Sequence, residues 1–260
     1  MPVMRIYCKS GFFSNFRFKI DVLLTLSLDF FKSRTPKDFP VIIINFNRLE
    51  YLRKQIAWLE SAGMKRIFIV DNNSTYPPLL EYYRTLPYMI YSLDQNKGHL
   101  AFWRTGLYRK FLNTPFVLTD PDVLPIEACP SDAVDFFYKL LNEFPEVDKV
   151  GFALKLDDLP DHYPLKEKVI AWEKRFWKEE IRQDIYRATI DTTFALYRRK
   201  NKCHGNSSGI RTSGDYIAMH LPWYEDHANL SEETLYYINT ANISSSWYKL
   251  SQGEQPWWEK

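Results

Sequence analysis

Two carboxylates with a spacing suited to metal chemistry, Asp120 and Asp122, directly follow an apolar run that ends at Leu118-Thr119. In an extended segment, residues i and i+2 project to the same side, so both carboxylates can face one cation. Pro121 restricts the backbone between them. Mg²⁺ or Mn²⁺ held there would bridge diphosphate oxygens and stabilise a departing nucleoside diphosphate. The alternative is a solvated turn that caps the following helix.

Two more side chains are candidates for the same chemistry. Asp71 ends the apolar run 67–70, where a carboxylate can accept hydrogen bonds from a nucleobase or ribose, although an ordinary Asx turn is an alternative. His220 can complete an Asp/His metal site, because neutral imidazole is a good ligand for Mn²⁺-like ions. A hydrogen-bonded structural histidine is the alternative interpretation of His220.

Three carboxylates in the second half are candidates for a general base that deprotonates an acceptor hydroxyl. Asp157 and Asp158 follow a predicted strand, and Asp191 opens a later one. Loop solvation also explains the first two, and an ordinary turn also explains Asp191. Trp103 and Trp223 can stack on a sugar, although core packing is the simpler interpretation of each.

Strand and helix patterns alternate along the chain from Pro40 onward. We predict strands at 41–44, 66–70, 88–93, 115–119 and 149–154, and helices from about 50 to 63, at 79–86, at 99–112 and at 131–144. The alternation indicates an α/β fold, Rossmann-like, with a mostly parallel central sheet flanked by helices. Ligands bind beyond the carboxyl ends of the strands in such sheets. Polar clusters follow four predicted strands, at 45–48, 71–75, 94–98 and 120–122, and these strand ends are the main structural argument for an active site.

The flanking segments are less regular. Residues 167–185 have a helical pattern, 191–197 resemble a strand opened by an acid, and 220–224 form a compact segment stiffened by Pro222. Residues 1–38 are predicted to be an N-terminal helical extension that packs on the main domain. The alternative is peripheral contact with the inner face of an acidic membrane, because basic and aromatic residues are interleaved there.

Composition bounds the class of protein. The chain has 260 residues, 45% of them hydrophobic, which suits one large α/β domain with a substantial core. The net charge is +2, from 34 basic and 32 acidic residues, which argues against a nucleic-acid partner. The three cysteines are far apart and form no CxxC, so we expect a reducing compartment and a cytoplasmic protein.

These motifs resemble the GT-A glycosyltransferases, especially bacterial proteins related to family 2, over residues 40–237. The resemblance rests on the opening strand and its 45–48 end, on Val70–Ser74, on Asn96–Gly98 and on Thr119–Asp122. The segments 150–160, 191–199 and 220–224 also look like family blocks. Asp71-Asn72 stands where the family often has two consecutive acids, and the acidic pair that many inverting members carry near the acceptor is not plain.

The resemblance implies a GT-A domain at 39–260, with a nucleotide-sugar half at about 39–125 and an acceptor half at about 126–260. The implied donor is a nucleotide sugar, UDP-sugar first, and the implied acceptor is a glycan or glycolipid. Asp120, Asp122 and His220 would hold Mn²⁺ or Mg²⁺. The expected nucleotide-binding residues are Asn45, Asn47, Arg48, Asp71, Asn73, Asn96, Lys97, Gly98 and Asp120.

Other classes share parts of this pattern. A haloacid-dehalogenase-like phosphohydrolase would use Asp120 as nucleophile and Asp122 as acid, but its motif normally opens the domain, and the usual Gly-Thr is missing here. A sugar nucleotidyltransferase should have a Gly-rich loop after its first strand, where 45–48 contains no glycine. A non-catalytic carbohydrate-binding protein would explain the aromatic residues but not the acids. Metal-dependent binding of a nucleoside diphosphate separates the transferase from the phosphohydrolase and the binding protein.

Overall fold

The computed structural model describes residues 6–7, 35–191, 193–199 and 207–241. Most of the predicted N-terminal helical extension, with its alternative membrane contact, therefore lies outside the described residues. Two parts of the extension are described. Ile6–Tyr7 form a short strand, so the helix prediction is wrong there, and Pro36–Asp38 form a three-ten turn. Within these ranges no helix is both long enough and apolar enough for a membrane span.

The described chain contains eleven strands and six α-helices, numbered here in chain order. The strands are β1 Ile6–Tyr7, β2 Pro40–Asn45, β3 Arg66–Asp71, β4 Met89–Ser92, β5 Phe116–Thr119, β6 Val123–Pro125, β7 Lys149–Leu154, β8 Glu180–Arg182, β9 Ile185–Arg187, β10 Ala195–Tyr197 and β11 Gly209–His220. The helices are α1 Glu50–Ser61, α2 Pro77–Thr85, α3 Ala101–Arg104, α4 Ala133–Glu143, α5 Lys166–Glu173 and α6 Glu232–Thr240.

All of these strands belong to one sheet, in the order β1-β4-β3-β2-β5-β10-β7-β11-β9-β8, with β6 paired to β11. The first five strands of this order are parallel to one another. β10 is antiparallel to both β5 and β7, β11 is parallel to β7, and β9 and β8 continue antiparallel. The α/β fold is confirmed, but the sheet is mixed, because adjacent strands beyond β5 are antiparallel except for β7 and β11.

The central strand β2 explains why the sheet has helices on both faces. Its β-branched run is buried, and alternate side chains enter different core clusters: Val41 and Ile43 one, Ile42 and Ile44 the other. Helices α1, α2 and α4 cover the first face, and α3 covers the second. A strand buried on both faces is what a continuous β-branched run predicts.

The predicted helix at 99–112 is wrong beyond its first turn. Only α3 is α-helical, and Leu107–Phe111 form a three-ten helix. Gly106 separates the two with φ of 74°, a left-handed conformation that ends an α-helix. The consecutive residues Ala101, Phe102 and Trp103 are all buried, so this segment is a short buried helix packed against the sheet and not a long amphipathic helix.

The predicted helix at 167–185 also ends early, and one long strand was missed. After α5 and a three-ten turn, the hairpin β8–β9 reverses at Asp184, whose φ is 63°. β11 was not predicted because its middle is polar and its pairing with β7 shifts between Thr212 and Ile217. A bulge of that kind breaks the period-2 alternation by which a strand is recognised.

Replacing Gly151 with alanine should destabilise the fold. A Cβ there would lie 2.3 Å from the carbonyl oxygen of Phe194 and 2.8 Å from the Cβ of Ala195. Overpacking of this kind costs about 1–3 kcal/mol. Gly209→Ala is the graded control, because its closest contact would be 3.0 Å. Urea denaturation should show the larger loss for Gly151→Ala, and equal stabilities would contradict the tight crossing of Phe194 over β7.

Candidate functional site

Five of the predicted site residues lie at one edge of the sheet. Asn45, Asp71 and Asp120 lie at or directly after the carboxyl ends of parallel strands. β10 runs in the opposite direction, so Asp191, four residues before it, reaches the same edge. β7 and β11 run parallel to β5, and His220 ends β11 at this edge as well. This carboxyl edge is the candidate functional site.

The Asp120–Asp122 segment is a turn between β5 and β6, not an extended strand. The extended backbone expected for this segment is therefore wrong, whereas a cation held by both carboxylates stays a prediction. Asp122 lies beside His220, whereas the charge of Asp120 acts on Tyr197, whose pKa is raised mainly by burial and further by Asp191 and Asp120. The charges of both carboxylates also act on Tyr237.

Gln55 of α1 holds this turn from below. The side chain is 0% exposed, and its Nε2 donates to Thr119 Oγ1 at 3.0 Å, to the Asp120 carbonyl at 2.8 Å and to the Val123 carbonyl at 3.0 Å. All three partners are acceptors, which determines the orientation of the amide. Sequence analysis missed Gln55, although a polar residue on the apolar face of α1 was a visible signal.

His220 and Asp122 lie beside each other at the carboxyl edge. Nε2 of His220 lies 3.5 Å from Oδ2 of Asp122, and the side chains are 13% and 24% exposed. The backbone fixes this proximity, because His220 is in register with Val123 and the Leu221 N–H donates to the Asp122 carbonyl at 2.8 Å. Burial lowers the pKa of His220, while Asp122 acts in the opposite direction. A neutral imidazole is the form that binds metals.

The expected three-ligand set of Asp120, Asp122 and His220 is not assembled. Among the described residues, no group of three or more His, Cys, Asp or Glu side chains is arranged to hold a metal ion. Asp122 and His220 still offer one oxygen and one nitrogen, and Nδ1 of His220 is buried without a hydrogen-bond partner in the described structure. This donor pair fits a Mn²⁺ or Mg²⁺ ion that completes its shell with water and phosphate oxygens.

Asn45 and Asp71 form the floor of the site. Asn45 Nδ2 donates to the Tyr83 hydroxyl at 2.8 Å, and that hydroxyl donates to Asp71 Oδ1 at 3.2 Å. The Ser74 N–H also donates to Asp71 Oδ1, at 3.2 Å, which is the Asx-type turn considered from the sequence. Asn45 is 0% exposed and Asp71 is 5% exposed. The structure therefore puts Asn45 beneath the surface and leaves Asp71 only a narrow exposed edge.

Asn47 and Arg48, both predicted nucleotide ligands, bind other parts of the protein. Asn47 Oδ1 accepts from the N–H groups of Thr75 and Tyr76, and its Nδ2 donates to Thr240. Arg48 is 3% exposed and donates to Thr234 Oγ1 at 2.9 Å. Burial thus engages both side chains in joining the β2 loop to α6, and their direct contact with a nucleotide stays a prediction.

The loop at 96–98 depends on Asn72, which sequence analysis did not select. Its Nδ2 donates to Asn96 Oδ1 at 2.9 Å and to the Gly98 carbonyl at 3.1 Å, and its Oδ1 accepts from the Lys97 N–H at 2.7 Å. Asn72 is 3% exposed, whereas Asn96, Lys97 and Gly98 are half-buried and neighbouring Asn73 is exposed. The accessible members of the predicted nucleotide set are therefore Asn73, residues 96–98 and the half-buried Asp120.

Helix α6 closes one side of the carboxyl edge. Tyr237 of α6 and Tyr51 of α1 enclose the Arg48 guanidinium, with ring centroids 4.2 and 4.6 Å from its central carbon. Burial raises the pKa of Tyr237 to about 12, and the charges of Asp120 and Asp122 act in the same direction. A C-terminal helix thus places a neutral phenol beside both acids, which no motif in the sequence indicated.

The three base candidates differ in surroundings. Asp157 is 78% exposed and hydrogen-bonded to Lys155, which lowers the pKa of Asp157, the wrong direction for a base at neutral pH. Asp158 accepts from the Tyr224 hydroxyl at 2.7 Å and pairs with Lys155. Asp191 is exposed at the edge. Burial lowers the pKa of His99, and the charge of Asp191 opposes that shift.

Neither tryptophan predicted to stack on a sugar offers a free face. Trp103 is 6% exposed and packs against the rings of Phe102, Tyr108, Phe116 and Tyr197. Trp223 is 1% exposed, and its ring centroid lies 4.6 Å from that of His220. The stacking prediction is wrong for both, and Trp223 acts as a wall behind the imidazole.

Comparison with known proteins leaves the family open. No protein-family model matches the chain, and a search of curated proteins found no match. The crystal structure of HddC from Yersinia pseudotuberculosis aligns with 78% of this chain and 87% of that chain, at 14% identity and a TM-score of 0.34. A likeness at that TM-score supports no inference about function, which must come from the site.

Replacing Gln55 with methionine, of similar size, should loosen the Asp120–Asp122 turn. The change removes the donor shared by Thr119 Oγ1 and the Asp120 and Val123 carbonyls. Buried acceptors left without a donor cost about 1–3 kcal/mol. Urea denaturation should show this loss, whereas Gln183→Met, at an exposed hairpin position, should not. Equal stability of the two variants would contradict the role assigned to Gln55.

Proposed function

We propose that the protein is a glycosyltransferase that uses a nucleotide sugar, with UDP-sugar as the first donor to test and a glycan or glycolipid hydroxyl as acceptor. The observation that carries the proposal is the convergence of Asp120, Asp122, His220 and Asp191 on one sheet edge, from three separate turns or strand ends. A GT-A type of domain is part of the proposal and agrees with the sequence resemblance.

The donor side of the edge suits a diphosphate. Lys97 and the exposed polar loop around Asn73 lie where Asn72 ties the two turns together. Asp122 and His220 would hold Mn²⁺ or Mg²⁺. When bound, such an ion supplies positive charge that stabilises the departing nucleoside diphosphate. The half-buried setting of Asp122 strengthens any such charge interaction relative to bulk water.

The acceptor side is assigned to Asp191. It is exposed, it stands at the start of the chain segment that enters β10, and it is separate from the Asp122–His220 pair. A carboxylate in that position can accept the proton of an acceptor hydroxyl as the glycosidic bond forms. Asp158 is the second candidate, although its hydrogen bond from Tyr224 and its pairing with Lys155 already engage it.

Asp122→Asn should abolish metal-dependent binding of a nucleoside diphosphate. The amide keeps the size of the side chain but removes the charge that attracts the cation. Isothermal titration with UDP and Mn²⁺ should show a loss of about tenfold or more in affinity, the scale of a lost charge-assisted contact. Asp215→Asn, a neutralisation at an exposed position of the β11 bulge, is the matched control. Unchanged UDP affinity in the presence of Mn²⁺ would contradict the donor site.

Asp191→Asn should reduce transfer to the acceptor much more than it reduces donor binding. A base acts only when an acceptor hydroxyl is present, and its loss typically costs about 10²–10⁴-fold in rate. The comparison uses kcat for transfer together with the dissociation constant of the donor nucleotide, measured beside Asp158→Asn. If Asp158→Asn alone loses transfer, the base is Asp158. If neither variant loses transfer, neither Asp191 nor Asp158 is the base.

A further inference from the structure

Two buried cations hold the backbone immediately before Asp191. The ammonium of Lys149 donates to the carbonyl of Ile190, and Nε of Arg211 donates to the carbonyl of Thr189 at 2.9 Å. Lys149 opens β7 and Arg211 lies on the neighbouring strand β11. Two adjacent carbonyl groups are therefore held from two adjacent strands, one and two residues before the proposed base.

Both cations are almost completely buried, which is uncommon for lysine and arginine. Lys149 is 1% exposed and Arg211 is 2% exposed. Arg211 pairs with buried Glu173 at 2.9 Å and lies 3.9 Å from the centroid of Phe176. Burial lowers the pKa of Arg211 and raises that of Glu173, and each charge opposes the shift of the other. Lys149 lies 5.1 Å from the ring centroid of Tyr197.

Two glycines complete the surface on which this segment lies. In the parallel pairing of β7 with β11, Lys149 is opposite Gly209 and Gly151 is opposite Arg211. A Cβ on Gly209 would come within 3.0 Å of the Ala188 carbonyl, and a Cβ on Gly151 within 2.3 Å of the Phe194 carbonyl. Each register position thus combines one long cation with one missing side chain, so residues 188–190 and Phe194 can approach the sheet closely.

We infer that Lys149 and Arg211 are positioning residues for Asp191. They act through the Ile190 and Thr189 carbonyls and fix the direction in which the backbone presents this carboxylate at the carboxyl edge. A well-packed apolar pair of the same volume would often stabilise a fold as well as a buried charge does. The two buried charges are therefore explained by the backbone carbonyl groups to which they donate. The inference rests on the proposed role of Asp191 as the base.

A double-mutant cycle tests the inference. Lys149→Met and Arg211→Met are each made in the wild-type chain and in Asp191→Asn, and kcat for transfer is measured beside UDP affinity. In the wild-type chain we expect a loss of about tenfold or more in kcat, because small misplacements of a reacting group are costly. In the Asp191→Asn chain the same changes should cause less than about twofold further loss, since coupled residues are not additive. UDP affinity should stay within about twofold.

Arg198→Met is the matched control. Arg198 also donates to backbone carbonyls, those of Leu141, Phe144 and Val147, but it makes no hydrogen bond to residues 188–191. We expect it to lower the unfolding midpoint without lowering kcat for transfer. Equal losses of kcat for Lys149→Met in the two backgrounds, or a loss of kcat in Arg198→Met as large as in Lys149→Met, would overturn the inference.

Hydrogen exchange separates failure of the inference from failure of the proposed function. Amides at 188–191 should exchange faster in Lys149→Met and Arg211→Met than in the wild-type chain, with Arg198→Met unchanged there. This readout needs neither donor nor acceptor. A wild-type chain without transferase activity that shows this exchange pattern would reject the function and support the mechanical role. Unchanged exchange at 188–191 in both variants would overturn the inference. The same outcome would overturn it even if a variant is too unstable for kinetic measurements.

Discussion

The site depends on one constraint: the buried amide side chains at the carboxyl edge are held in place by hydrogen bonds to neighbouring segments, although single atoms such as Gln55 Oε1 and His220 Nδ1 have no partner among the described residues. Water and ligands cannot reach Asn47 or Gln55, and a lost hydrogen bond at such a position costs more than the bond itself contributes. Each of these amides therefore joins separate segments. Asn47 connects the end of β2 with α6, and Gln55 connects α1 with the turn after β5. The buried polar residues at the strand ends therefore serve first to hold neighbouring segments of the protein together.

This constraint divides the polar residues into two groups. Those that are buried, such as Asn72 and Arg48, are engaged with neighbouring segments, so their effect on a ligand is indirect. Those that are partly exposed, Asp122, His220 and Asp191, keep surface that a ligand can contact. The distinction is physical, because the same hydrogen bonds that make the first group rigid determine where the second group points. Type and spacing in the sequence do not separate the two groups.

The first half of the fold could be predicted because its signals are local. The β-branched run of β2 and the apolar spacing of α1 each identify an element, and parallel order then puts their polar ends at one edge. The second half could not be predicted in the same way. The strand β11 has a polar middle that contains a bulge, and Tyr237 reaches the site from a helix far along the chain. Long-range packing decides such contacts, and no local pattern records them.

The antiparallel insertion of β10 explains how the second half completes the edge. A strand entering from the carboxyl edge brings the residues before it, including Asp191, to the same place where β5 delivers Asp120. A parallel strand in that position would have carried Asp191 to the opposite edge. The reversal brings residues 188–190 close to β11 and Phe194 close to β7, which is possible where Gly209 and Gly151 leave space. The direction of β10, the absence of side chains at Gly151 and Gly209, and the position of Asp191 therefore depend on one another.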